Sequence, residues 1–137
     1  MLDKNCTFCK IVNGDISARI ISQNDNVIAF LDAFPLSVGH TLIIPKIHIS
    51  KLQDMNSEYS SAIFDLLRIV TEAVEKATGV KASTIAIHNG AEAGQVILHV
   101  HTILFHASGA MEQDQSIHCL RTSQILTLRR WIQCLTG

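Results

Sequence analysis

Residues 94–106 read GQVILHVHTILFH. Valine, isoleucine, leucine and phenylalanine dominate, and β-branched and aromatic side chains suit a pleated, packed surface, so the composition predicts a strand over 98–105. Residues i and i+2 of a strand share a face. His99 and His101 are therefore expected side by side on an otherwise apolar segment, with Ile103 next in the row. The glycine-bracketed stretch NGAEAGQ (89–95) runs directly into it. Such loops can turn backbone N–H groups toward an anion. A loop of this kind feeding a strand that carries two imidazoles is a candidate phosphate site.

STIAIHN (83–89) predicts the preceding strand, separated from the 98–105 strand by GAEAG. ARIISQ (18–23) and NVIAFLD (26–32) read as a hairpin around Asn24-Asp25, and HTLIIP (40–45) as a third strand. Pro45 stops that strand, because it has no N–H for the ladder. Ile63, Leu66, Leu67, Val70, Ala73, Val74 and Ala77 follow the i, i+3, i+4, i+7 rule, which predicts a helix over 57–78 ending at Gly79. A last amphipathic segment, 122–135, places Ile125, Leu128, Trp131, Ile132 and Leu135 on one helical side. Five strands with one long helix between the third and fourth give an α+β class.

The chain has 137 residues, 47% hydrophobic and 17% charged, enough apolar mass for one domain (1–137) with a real core. Eleven basic and twelve acidic residues leave a net charge of −1, so no basic field argues for nucleic acid. The opening MLDKNCTFCK is too polar for a signal peptide, and no apolar run reaches spanning length, so a soluble, cytoplasmic protein is expected. Four cysteines in such a chain suggest thiols or metal ligands rather than disulfides. Cys6 and Cys9 form C-x-x-C, a spacing shared by metal sites, redox pairs and chance. Cys119 and Cys134 read as buried thiols, and His106 and His118 as ordinary hydrogen-bonded histidines.

Three stretches carry a resemblance. NDNVIAFLDAFPLSVGHTLIIPKIHI (24–49), HNGAEAGQVILHVH (88–101) and CTFCKIVNGDISARII (6–21) together resemble the histidine-triad (HIT) family of nucleotide hydrolases and transferases. The match runs from about Cys6 to Phe105 and leaves 107–137 divergent. The resemblance implies a HIT-like fold, usually a homodimer, which binds purine nucleotides such as AMP or GMP with the phosphates against the triad strand. In the family the triad reads His-x-His-x-His, and its middle histidine forms a covalent nucleotidyl intermediate that water cleaves. That role falls on His101. Imidazole suits it, because the neutral ring is nucleophilic near pH 7 once its other nitrogen donates a hydrogen bond. His40 matches a further histidine of the same site, and Asp32 matches the acid that grips the ribose. Phe8 and Phe30 fall where apolar side chains enclose the base, although simple core packing accounts for both equally well. Asn89, Gly94 and Gln95 fall along the phosphates.

The third triad position is Ile103, which cannot donate to a phosphate or leaving group. A charge-assisted hydrogen bond is worth about 1.5–3 kcal/mol, and loss of a general acid costs about 10²–10⁴-fold in rate. Val96 stands where a hydroxyl residue is usual, and His88 where asparagine is common. Some family members also hold structural zinc with two such cysteines, the histidine after the IPK strand and the first triad histidine. Those positions are Cys6, Cys9, His48 and His99, a closed Cys₂His₂ set. The expected function is hydrolysis of a nucleoside phosphoramidate or dinucleoside polyphosphate. The alternatives are a zinc-stabilised nucleotide-binding module with little catalysis and, more remotely, a thiol-redox protein.

Overall fold

In a computed structural model that describes residues 1–106, 126, 128–130, 132 and 133, the expected hairpin is formed by β1 (Arg19–Gln23) and β2 (Val27–Leu31). Asn24 makes its turn: the side-chain Oδ1 accepts from the N–H groups of Asn26 at 2.9 Å and Val27 at 3.0 Å. This is an Asx turn, in which asparagine mimics a backbone carbonyl. Between Ile20 and Ser22 the register slips by one residue at Ile21, which enters the core. Strand β3 (Thr41–Pro45) pairs antiparallel with β2, and β5 (Thr102–Phe105) lies against its other side. Strand β4 (Thr84–Ala86) takes the outer edge, so the order is β1-β2-β3-β5-β4, antiparallel throughout.

The long helix α2 spans Ser57–Thr78, as the periodicity predicts. Its N-cap Asn56 accepts from the Tyr59 N–H at 3.1 Å, and Gly79 closes it at φ 75°. One face of the sheet packs Val27, Ala29, Leu31, Ile43 and Leu104 against Ile63, Leu66, Leu67, Val70 and Val74 of α2. Ile28, Phe30, Leu42 and Ile44 point the other way. They are covered by Cys6, Phe8 and Cys9 at the start of a short helix, α1 (Thr7–Asn13). Both β2 and β3 are thus buried on both faces, which explains why they read as continuous apolar runs.

The triad segment departs from expectation. Strand was predicted over 98–105 and 83–89, but pairing covers only Thr102–Phe105 and Thr84–Ala86. Continuing the β3–β5 register past Ile43↔Thr102 would set Val100 opposite Pro45, which has no N–H. Val100 instead donates to the Ile49 carbonyl at 2.7 Å, and His99 lies in a bend. Of the predicted C-terminal segment, residues 126, 128–130, 132 and 133 are helical, with Leu128 and Ile132 in the α2-side core. Arg129 donates through Nε to the Ile20 carbonyl at 2.8 Å. Ile125, Trp131, Leu135, His118, Cys119 and Cys134 lie outside the described residues. His106 is a hydrogen-bonded core histidine, donating from Nδ1 to the Ala82 carbonyl at 2.8 Å.

Candidate functional site

Cys6 and Cys9 stand three apart at the start of α1, the spacing that puts two side chains on one helical face. His48 follows β3, and the bend at 97–99 turns His99 toward the same point. The four ligand atoms lie within 4.8 Å of one another. Cys9 Sγ is 3.3 Å from His48 Nδ1, while Cys6 Sγ and Cys9 Sγ are each 3.5 Å from His99 Nδ1. Zinc bonds of about 2.3 Å to sulfur and about 2.05 Å to nitrogen set tetrahedral S···N edges of about 3.6 Å, so the cluster fits this ion. The outer contacts agree. His99 donates from Nε2 to the Pro45 carbonyl at 2.9 Å, which leaves the Nδ1 lone pair facing the thiols. His48 Nε2 is 3.8 Å from Asp3 Oδ2. Burial pushes the His99 imidazole down to about 4, outweighing the Pro45 bond, so the ring is neutral as a metal ligand must be. Burial also raises the Cys9 thiol. A bound cation would reverse that shift.

His101 leaves this cluster and turns along the sheet. Its Nδ1–H donates to the His99 carbonyl at 2.8 Å, which fixes the tautomer and leaves Nε2 with its lone pair. The Phe8 ring packs edge-on against it, with centroids 5.1 Å apart and planes at 73°. Burial lowers the His101 pKa, the His99 bond opposes it, the charge of His88 lowers it further and Asp32 raises it. The ring is therefore neutral at pH 7. Phe8 and Phe30 are both buried and meet edge-to-face at 5.8 Å, as core residues would.

Asp32 and His40 brace one another across the turn that follows β2. The Asp32 N–H donates to the His40 carbonyl at 2.9 Å, and Asp32 Oδ1 accepts from the Phe34 N–H at 2.9 Å. His40 Nδ1 accepts from the Leu36 N–H at 3.0 Å, so its proton sits on Nε2. That nitrogen is 3.5 Å from Asp32 Oδ2 but buried and without hydrogen-bond geometry, a charge contact rather than a bond. Burial lowers the His40 pKa against the pull of Asp32.

The glycine loop differs from the expected anion cradle. Its donors are largely spent internally: Gly90 N–H bonds Gln95 Oε1 at 2.8 Å, while Ala93, Gly94 and Gln95 bond carbonyls of Gly90 and Ala91. Gln95 also donates to the Ser50 carbonyl at 2.9 Å. Asn89 accepts from Leu52 N–H at 2.9 Å and donates to Gln53 at 3.0 Å. Both side chains thus clamp the loop to residues 50–53. The N–H groups of Val96, Ile97 and Leu98, just past the loop, find no acceptor among the described residues. Val96 is 91% exposed and has no polar side-chain atom, so its N–H is what it can offer an anion. Ile103 is half-buried against the Phe30–Leu42–Ile44 cluster. The His88 ring lies over Gly94, with Nδ1 3.4 Å from the Gly94 carbonyl.

Asp3, the Leu36 N–H and the Pro45 carbonyl orient site residues, yet the sequence offered no signal for them. Each acts through a backbone path visible only in the fold.

The HIT domain family model matches residues 13–106. Adenylylsulfatase HINT3 of Arabidopsis thaliana is 36% identical over 125 residues, 91% of this chain, and the chain spans 60% of that protein's length. Adenosine 5'-monophosphoramidase hnt1 of Schizosaccharomyces pombe is 38% identical over 97 residues, covering 71% of this chain and 70% of that one. Among solved structures, a zinc-bound histidine-triad family protein from Mycobacterium smegmatis superposes with a TM-score of 0.80 at 27% identity, over 96% of both chains. A HIT-like protein from Bartonella henselae gives 0.81 at 26% identity, over 96% of this chain and 99% of that one. With the sheet order, the neutral His101 and the Cys/His cluster already in place, the match over most of its length makes this chain a member of the histidine-triad family.

Proposed function

We propose that this protein hydrolyses a purine nucleotide derivative through a covalent intermediate on His101. The observation that carries this reading is the His101 tautomer: Nδ1–H held by the His99 carbonyl leaves a neutral Nε2 as nucleophile. Nε2 attacks the α-phosphorus, a P–N bond forms, and the bond to the leaving group breaks. Water then cleaves the adduct and frees the nucleoside monophosphate. The N–H groups of Val96, Ile97 and Leu98, without an acceptor among the described residues, would receive the phosphate oxygens, and Asp32 the ribose hydroxyls. Phe8 and Phe30 form the apolar floor beneath the base. Relatives named an adenylylsulfatase and an adenosine 5'-monophosphoramidase support adenylyl chemistry.

Cys6, Cys9, His48 and His99 would hold a structural zinc, which supplies a closed four-ligand anchor with no position for substrate. One observation favours a second reading, a zinc-stabilised nucleotide-binding module: apolar Ile103 occupies the row beyond His101. Rapid mixing with an adenylyl substrate, acid quench and mass spectrometry separates the two. An adenylyl group on a His101 peptide supports hydrolysis, whereas nucleotide binding with neither adduct nor turnover supports the module.

A further inference from the structure

A nucleophile that expels an amine or alkoxide needs a proton donor nearby, and most groups around His101 are already committed. His99 uses both ring nitrogens, one on Pro45 and one toward the thiols. His40 is buried, its Nδ1 taken by Leu36 and its Nε2 facing Asp32. Asn89 and Gln95 clamp the loop, and Ile103 and Val96 have nothing to donate from their side chains. His88 differs.

The β4–β5 register runs Thr84↔Phe105, Ile85↔Leu104, Ala86↔Ile103. Pairing stops there, but the two chains run on from that last pair toward His88 and His101, and His88 lies near enough for its charge to lower the His101 pKa. Residues opposite one another on paired antiparallel strands share a face. Ala86, opposite Ile103, has nothing to donate, and His88 lies two residues further along that chain. The His88 ring is solvent-exposed and seated on Gly94, where an added Cβ would lie 3.4 Å from its Nδ1 at a φ of +92°. With Nδ1–H directed at the Gly94 carbonyl, the imidazolium carries its transferable proton on Nε2.

We propose that His88 is the general acid of this site, taking the part its third triad position cannot play. As the phosphorus–leaving-group bond breaks, its electron pair takes the His88 Nε2 proton. Neutral His88 then accepts a proton from the water that attacks phosphorus and releases His101. The ring is thereby reset.

This rests on the His101 reading, and the test separates the two. Adenosine 5'-phosphoramidate must protonate its leaving nitrogen, whereas adenosine 5'-phosphosulfate expels sulfate, a weak base that needs no proton. In full-length His88→Ala and His88→Asn, the loss of kcat on the phosphoramidate should exceed the loss on the phosphosulfate by about 30-fold or more, within the usual range for a general acid. Added imidazole should restore part of the phosphoramidate rate in His88→Ala. Equal losses on both substrates, or no loss on either, would overturn the role of His88 while adduct on His101 kept the parent reading intact. If neither substrate labels His101 in the wild type, both fall.

Discussion

His101 and Ile103 differ by one step along the strand face, and that step separates a nucleophile from a packing residue. Ile103 fills a half-buried place beside Leu42, so a histidine there must give up some packing to gain a donor. If His88 supplies the proton, Ile103→His should add little to the wild type but restore phosphoramidate turnover in His88→Ala by about 10-fold or more. His101→Ala should abolish turnover in every background. A double-mutant cycle in kcat measures this; additive effects would show that the two positions do not share the task. Asp32→Ala should weaken AMP binding by about 1.5–3 kcal/mol by calorimetry, the usual loss for a hydrogen bond to a charged group. The residue types of this site were legible in the sequence, because imidazoles among valines and leucines are conspicuous. Their orientation was not. Two histidines expected side by side on a strand are split by the bend at 97–99, one toward sulfur and one toward solvent-facing chemistry.

At the scale of elements, α1 is the piece the sequence concealed. Seven residues are too few for periodicity to show, and isolated helices this short are marginal in water. Its position comes from tertiary contacts: Phe8 against Phe30 and the two cysteines against His48 and His99. Purified without chelator, the protein should contain about one zinc per chain by elemental analysis. Cys9→Ala should lower the melting temperature more than it changes nucleotide affinity, because the cluster is closed to substrate. The metal-free protein carries a pH signature as well. His99 titrates near 6.5 when exposed and at about 4 in the fold. Above pH 6.5 the ring is neutral in both states and its contribution is complete. As pH falls from 6.5 toward 4, the unfolded chain binds a proton that the folded chain refuses, and stability drops by on the order of 3 kcal/mol. Urea denaturation of chelator-treated protein at pH 7 and 4.5 should show this slope, and His99→Gln should flatten it. An identical slope in the variant would assign the effect to other groups.

Among the described residues, the α2 face of the sheet is covered unevenly. Leu128 and Ile132 join the core on that face, and Arg129 latches the edge strand β1 through the Ile20 carbonyl. Helix α2 covers the middle, where Ile43 and Leu104 are buried. At the far edge β4 has no outer strand among the described residues, and Ile85, level with Leu104 on the α2 side, is 47% exposed. Phe64 of α2 is 55% exposed. The first three strands and α2 follow from apolar patterning, and the sequence carried them well, whereas the order of the strands and the two-sided core emerge only in the fold. An interface leaves no comparable mark, since a lone exposed isoleucine is unremarkable in any chain. An unpaired edge beside exposed apolar residues does have a simple solution, pairing with a second copy about a two-fold axis, which buries both at once. We therefore expect a homodimer through β4 and α2. Light scattering at micromolar concentration should return about twice the 15.1 kDa chain mass. Ile85→Lys places a charge in that joint and should shift the protein to monomer while zinc content stays near one per chain. A wild type that scatters as a monomer would leave the β4 edge bare in solution and refute the assembly.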